Sequence, residues 1–301
     1  MIMSYNKNSS DIVEYNFFAT YYPLFLVISG TLFNSLTFII LCRRKFRGTS
    51  KQLTLHYMRA IAIFDILMLY GRNFDHFLYY AYGFTLQTYS VPFCKFFSFL
   101  NYFIPQVSAW LRVFICFDRY LSLSRIHKTW FAQSRNVLII IICIVTIFTL
   151  INFHFFLFAC YDNDDGTVNM EARLYEIYPL WNYINLVLYN CLPFIFMIAF
   201  YGNVIYHLIR FRHTSISQNL RRQYRSMSIT LIIITFLFLL MTMPATICSG
   251  FFYTSTSKFI RHLFGYILYT YHILSFLIYL ITFREFRKEV ILMITFKKND
   301  N

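Results

Sequence analysis

The chain has 301 residues, of which 58% are hydrophobic, 22% aromatic and only 13% charged, with a mean hydropathy of +0.52. The charged share is about half that of a soluble domain, and a soluble fold of this length cannot hide so much apolar surface, which points to a chain embedded in a bilayer. The net charge of +14 falls mostly on alternate loops, so it reads as a topology signal and as affinity for anionic lipid rather than for nucleic acid.

Residues 1–19 are polar, beginning MIMSYNKNSSDIVEYN, and hold no cleavable signal, so the first span is expected to act as its own uncleaved targeting signal. Asn8-Ser9-Ser10 is a glycosylation sequon, a pattern also frequent by chance. Seven apolar stretches follow, at about 20–42, 55–80, 91–123, 137–159, 178–209, 226–252 and 262–283. Each is long enough to cross hydrocarbon as a helix, which takes roughly 20 residues. None alternates with the period of two expected of a barrel strand. Polar residues interrupt the second and seventh. The chain is therefore expected to be an all-α membrane protein of one domain: an extracellular amino terminus at 1–19, a seven-helix bundle at 20–283, and a tail at 284–301.

The loops set the orientation. The first carries Arg43, Arg44, Lys45, Arg47 and Lys51, the third Lys128 and Arg135, and the fifth Arg210, Arg212, Arg221, Arg222 and Arg225. The fourth carries Asp162, Asp164, Asp165, Glu171 and Glu176 against one Arg. Excess Lys and Arg marks the cytoplasmic side, so the amino end is expected outside and the carboxyl end inside. Five of the seven cysteines, Cys42, Cys116, Cys143, Cys191 and Cys248, lie in or at the ends of spans, where Cys acts as a small apolar residue. Cys94 and Cys160 both face the outer, oxidising side. A bond between them pins the acidic loop over the bundle mouth; two free thiols are the alternative.

Residues 112–123, RVFICFDRYLSL, place three charges in an apolar span. Asp118-Arg119-Tyr120 resembles the DRY signature of rhodopsin-like G-protein-coupled receptors, and the likeness extends from Asn34 to Phe286. Cys94 precedes Arg119 by that family's spacing. Asn34 and Asp65 fit its first- and second-helix polar positions, Pro193 and Tyr201 its fifth helix, and Phe238 and Pro244 its sixth. SFLIY, ending at Tyr279, resembles a degenerate NPxxY, and FREFRKE with Phe286 resembles a short amphipathic eighth helix. The stretch HILSFLIYLITFREFR also resembles invertebrate FMRFamide-type neuropeptide receptors.

The resemblance implies that Arg119 pairs with Asp118 at rest and is released, supported by Tyr201 and Tyr279, to meet a heterotrimeric G protein. A plain snorkelling ion pair at a helix end is the alternative. Arg112 lies two turns deeper on nearly the same face. An unpaired buried guanidinium is very costly, so an ion pair with Asp65, completed by Ser108 and Ser275, is expected where relatives bind sodium; a water-filled cavity around Arg112 is the alternative. Tyr224 and Arg225 stand where some relatives place an acid that latches the DRY arginine, which implies ligand-free signalling. Thr242 replaces the usual toggle Trp, Ser275-Phe276 replaces Asn-Pro, Ile126 replaces a loop proline, and Trp110 and Trp130 lie outside the fourth span.

Ligand-pocket candidates are Asp75, Asn101, Tyr102, Gln106, Asn185, Ser249 and Tyr269, with Asp75 one turn from Arg72 and open to pairing with it. The third span has Asn101 where amine receptors hold an acid, and the seventh has no Lys at the retinal level, which disfavour an amine and retinal. The acidic loop and many outer rings suit a cationic, aromatic extracellular peptide. A solvated loop with lipid-facing rings is the competing account. A receptor for a small chemosensory molecule and a transporter are the alternatives; the scarcity of Gly and the lack of a repeat disfavour the transporter. The chain carries no His-carboxylate metal motif and no nucleophile motif, so no enzyme activity, metal or cofactor is expected.

Overall fold

The computed structural model describes residues 9–43, 52–123, 133–210, 218–252 and 254–295. Asn8, Arg44, Lys45, Arg47, Lys51, Ile126, Lys128, Trp130 and Arg212 lie outside them, as do the side chains of Arg210, Arg221, Arg222, Tyr224 and Arg225.

Seven long helical passes form a bundle. Helix α1 (Ser9–Leu41) begins within the segment expected as a polar terminus, and α2 covers Gln52–Tyr82. Gly83 ends α2 in the left-handed region at φ 75, its N–H donating to Tyr79 O at 3.0 Å, a C-cap that glycine alone adopts without penalty. A one-turn helix α3 (Leu86–Tyr89) leads into α4 (Val91–Leu123). The fourth pass is split into α5 (Ser134–Asn152) and α6 (His154–Phe158).

An antiparallel hairpin follows, β1 (Ala159–Asp162) against β2 (Val168–Ala172), a local departure from an all-helical chain. Its turn is closed by Asp165, whose Oδ1 accepts from Thr167 N at 2.9 Å and from the Thr167 hydroxyl at 2.6 Å. Those bonds hold the exposed Asp165 carboxyl below the usual range, which keeps the turn charged.

The fifth pass runs through a π turn (Ile177–Trp181), α7 (Asn182–Leu186), a second π turn (Val187–Cys191) and α8 (Leu192–Arg210). The second bulge precedes Pro193, whose missing N–H frees the carbonyl one turn back. Helix α9 (Gln218–Phe251) contains Pro244, and α10 (Lys258–Thr282) contains no proline. After Phe283 the amphipathic α11 (Arg284–Ile294) buries Phe286, Glu289 and Val290. Arg43 at the end of α1 reaches Glu289 at 3.2 Å and so ties the last helix to the first.

Six passes are long and apolar enough to cross a membrane, and α2 is not among them because it carries Arg59, Asp65, Arg72 and Asp75. It is instead tightly packed: a Cβ added at Gly30 of α1 would stand inside the Leu69 side chain of α2, so the two backbones approach closely. The bundle's surface is apolar, with Leu150 69% and Ile281 71% exposed, while its interior holds Asn34, Asp65, Gln106, Arg112, Asn190 and His272 at 3% exposure or less. That reversal of the soluble pattern suits hydrocarbon outside and a polar relay within.

Candidate functional site

Three polar centres lie along the bundle. The middle one is built on Arg112 of α4. Its Nη2 donates to both Asp65 carboxylate oxygens, at 3.0 and 3.1 Å. Its Nε donates to the Tyr271 hydroxyl at 3.0 Å, and Nη1 donates to Ser108 O at 2.9 Å and to the Ser108 hydroxyl. All three guanidinium nitrogens thus have an acceptor. The Phe238 and Tyr271 rings cover it, with centroids 4.9 and 5.1 Å from Cζ. Asp65 also accepts from the Ser108 hydroxyl at 3.3 Å and pairs with His272 Nδ1 at 2.8 Å. Complete pairing makes the burial of these charges tolerable; it does not make the pair a large source of stability.

Asn34 donates to Gly30 O at 3.0 Å and to His272 O at 2.9 Å, which steadies the α10 backbone beside this cluster. Ser275, expected to join it, is buried but has no hydrogen bond to it. It lies one turn further along α10, about 4.5 Å of rise, and its short side chain does not span that gap. His272 and Tyr271, which the sequence reading missed, do. The signal was a lone His one turn before Ser275 in an apolar span.

At one end of the bundle Arg119 is 1% exposed and its Nη2 meets Asp118 Oδ2 at 3.0 Å. The Thr54 hydroxyl of α2 also donates to that carboxylate. Tyr120 stacks on Phe200. Tyr201 and Tyr279 are engaged elsewhere: the Tyr201 hydroxyl meets Thr235 of α9 at 3.2 Å, and the Tyr279 ring packs on Phe286 of α11, centroids 5.6 Å apart.

At the other end the Cys94–Cys160 disulfide joins α4 to the hairpin. Beneath it lies a cavity of about 260 Å³, whose walls include Arg72, Asn101, Tyr102, Asn185, Thr246 and Ser249. Three expected wall residues are not part of it. Asp75 Oδ1 accepts from Leu86 N at 2.5 Å and so anchors α3; it makes no ion pair with Arg72. Gln106 is fully buried between passes, donating to Asn185 at 3.0 Å and accepting from Asn152 at 2.7 Å. Tyr269 packs on the small cluster of Leu26, Val27, Leu69 and Ile273 toward α1. Below the hairpin, burial pushes the Tyr175 hydroxyl up to about 12, so it stays neutral.

A run of hydrogen bonds ending in one ring contact joins the cavity to the middle centre. Thr246 lines the cavity and accepts from Asn190 Nδ2 at 2.6 Å. Asn190 Oδ1 accepts from the Thr242 hydroxyl at 3.1 Å, and Thr242 also donates to Phe238 O at 2.7 Å. Phe238 is the ring beside Arg112. Thr242, which replaces the toggle Trp usual in relatives, thus acts as a hydrogen-bonding residue between the fifth pass and α9.

Residues 33–281 match the model of the 7 transmembrane receptor (rhodopsin family), most of the chain. The chain belongs to that family. Two curated relatives of this receptor are both called N-arachidonyl glycine receptor. The Homo sapiens protein is 24% identical over 303 aligned positions, covering 96% of this chain and 88% of its own. That of Macaca fascicularis is 25% identical over 260, covering 83% and 75%. Family and apolar helices together make the receptor a multi-pass plasma-membrane signalling protein with a ligand and a heterotrimeric G protein as partners.

Proposed function

We propose that this receptor, with its amino terminus outside, is switched by an extracellular ligand in the disulfide-end cavity and releases Arg119 toward a G protein at the opposite end. One observation carries this reading: a continuous run of contacts, Thr246–Asn190–Thr242–Phe238–Arg112, leads from the cavity wall into the buried cluster on the helix that bears Arg119. A ligand that displaces Thr246 rearranges Asn190, loosens α9 from the fifth pass and shifts Phe238 against Arg112. Outward movement of α9 then takes Thr235 from Tyr201 and frees that hydroxyl for Arg119.

The ligand is read as a peptide whose basic, aromatic body meets the acidic hairpin loop of Asp162, Asp164, Asp165, Glu171 and Glu176. The finer likeness to FMRFamide-type receptors rests on the HILSFLIYLITFREFR stretch alone. The name of the relatives denotes an N-acylated amino acid, and that chemistry joins the peptide in the panel to be tried. Saturation of Arg112 keeps the buried layer closed, so the resting receptor is read as quiet, against the ligand-free signalling expected from the sequence.

The test is agonist-driven nucleotide exchange on a G protein by receptor of normal surface display. Arg119→Ala is expected to abolish it. Unchanged exchange in that variant overturns the relay.

A further inference from the structure

We infer that the cavity takes the carboxylate of its ligand, held by Arg72 beside Asn101; this rests on the reading of the cavity as the ligand site. Arg72 is the only charged side chain among the described residues that line the cavity. It is exposed, and no described residue forms an ion pair or hydrogen bond with it. Asp75, open to pairing with it by sequence, accepts the Leu86 N–H on Oδ1 and acts on Arg72 only through space, with no ion-pair contact. Asn101 stands against the same stretch of α2, its Oδ1 3.4 Å from where a Cβ on Gly71 would lie. Neither its amide nor that of Gln87, also on the wall, has a hydrogen-bond partner among the described residues.

A fork of guanidinium donors with an amide beside it matches a carboxylate, which takes two parallel N–H bonds and further donors on its remaining lone pairs. An amidated end offers no charge to this site. The rest of the wall supplies apolar contact through Phe155, Met170, Ile177 and Leu186. The cavity volume of about 260 Å³ admits the acidic end of a ligand and leaves its body to the mouth. A basic stretch of a peptide then faces the acidic hairpin while its free carboxyl end lies on Arg72. An N-acylated amino acid presents the same carboxylate with an acyl chain.

The experiment uses the full-length receptor in neutral phosphatidylcholine nanodiscs, with melting temperature as the binding readout. One arm compares N-arachidonyl glycine with its primary amide. The other compares a pool of basic, aromatic tetrapeptides with free carboxyl ends against the same pool amidated. An acid in at least one arm is expected to stabilise the receptor at concentrations at least tenfold below its amide, and the arm identifies the source. Arg72→Gln is expected to remove the preference and Arg72→Lys to keep part of it. Asn101→Asp, which sets a like charge beside the ligand, is expected to weaken acid binding tenfold or more and serves if Arg72→Gln does not fold. Acids no better than amides in both arms, stabilisation by neither, or an acid preference that survives Arg72→Gln or Asn101→Asp each overturns the proposal. Nucleotide exchange measured in parallel separates the two readings. Arg72-dependent binding without exchange overturns the receptor relay alone. Exchange driven equally by acid and amide overturns the carboxylate assignment alone.

Discussion

Arg112 and Arg72 are both guanidinium groups on bundle helices, and their surroundings are opposite. Arg112 is 3% exposed, with a carboxylate, a phenol, a carbonyl and a hydroxyl accepting from its three nitrogens and two neighbouring rings packed against it. Arg72 is exposed at a cavity wall with none of these. A guanidinium whose donors are all spent has nothing to offer a ligand; it holds helices in register and responds when its neighbours move. One whose donors are free beside a cavity is receptive. Satisfaction of hydrogen bonds, more than charge or depth, separates the two roles.

The sharpest way to break the contrast is to remove the saturated cation. Arg112→Leu leaves Asp65 facing only Ser108 and His272, and loss of one partner from a buried pair costs about 3–5 kcal/mol. Melting of detergent-solubilised receptor and surface display are both expected to fall. Arg112→Leu combined with Asp65→Asn is expected to recover much of the loss, and a double variant no better than the single one argues against a coupled pair. Next in size is Cys94→Ser, which unties the hairpin from α4 at a cost of about 2–5 kcal/mol. It is expected to abolish acid-selective binding at the Arg72 end while sodium response, set by the Arg112 cluster, stays as it was. Asn190→Ala removes the link between the cavity and α9, and the loss of its two hydrogen bonds, to Thr242 and Thr246, costs about 1–3 kcal/mol. Ligand-free nucleotide exchange is expected to rise, because α9 is no longer held to the fifth pass. The smallest effect is that of sodium. Exchanging sodium for N-methylglucamine is expected to move agonist affinity less than twofold, since the Arg112 guanidinium already occupies the Asp65 carboxylate. Clear sodium inhibition of the unaltered receptor would count against the built-in cation.

Much of this architecture was legible in the sequence because membrane spans are written in composition, and because single charges in apolar runs are too costly to be idle. Asp65 and Arg112 were each the odd charge in a span, and their pairing followed from the depths that the family resemblance implies. Cys94 and Cys160 were singled out by lying on the same side of the bilayer. The harder parts were contacts between passes that no local spacing reveals. Asp75 was open to pairing with Arg72 from their one-turn separation on a helix, but its Oδ1 went to the backbone of α3, which leaves Arg72 without an ion-pair contact. Gln106 looked like a pocket residue by depth, yet Asn152 and Asn185 claim it from two sides. His272 was passed over because a lone His in a greasy helix resembles ordinary packing, until Asp65 is seen 2.8 Å away.

The seventh pass has one more consequence. Helix α10 runs from Lys258 to Thr282 without a proline, while α9 carries Pro244 about a turn and a half from the cavity residue Ser249. A rod without a weak joint resists folding at its middle, so in the proposed switch it is the door-post and α9 the door. Drugs meant to jam the receptor therefore belong against the door's hinge near Pro244, where a wedge the size of a methyl group has leverage over the far edge.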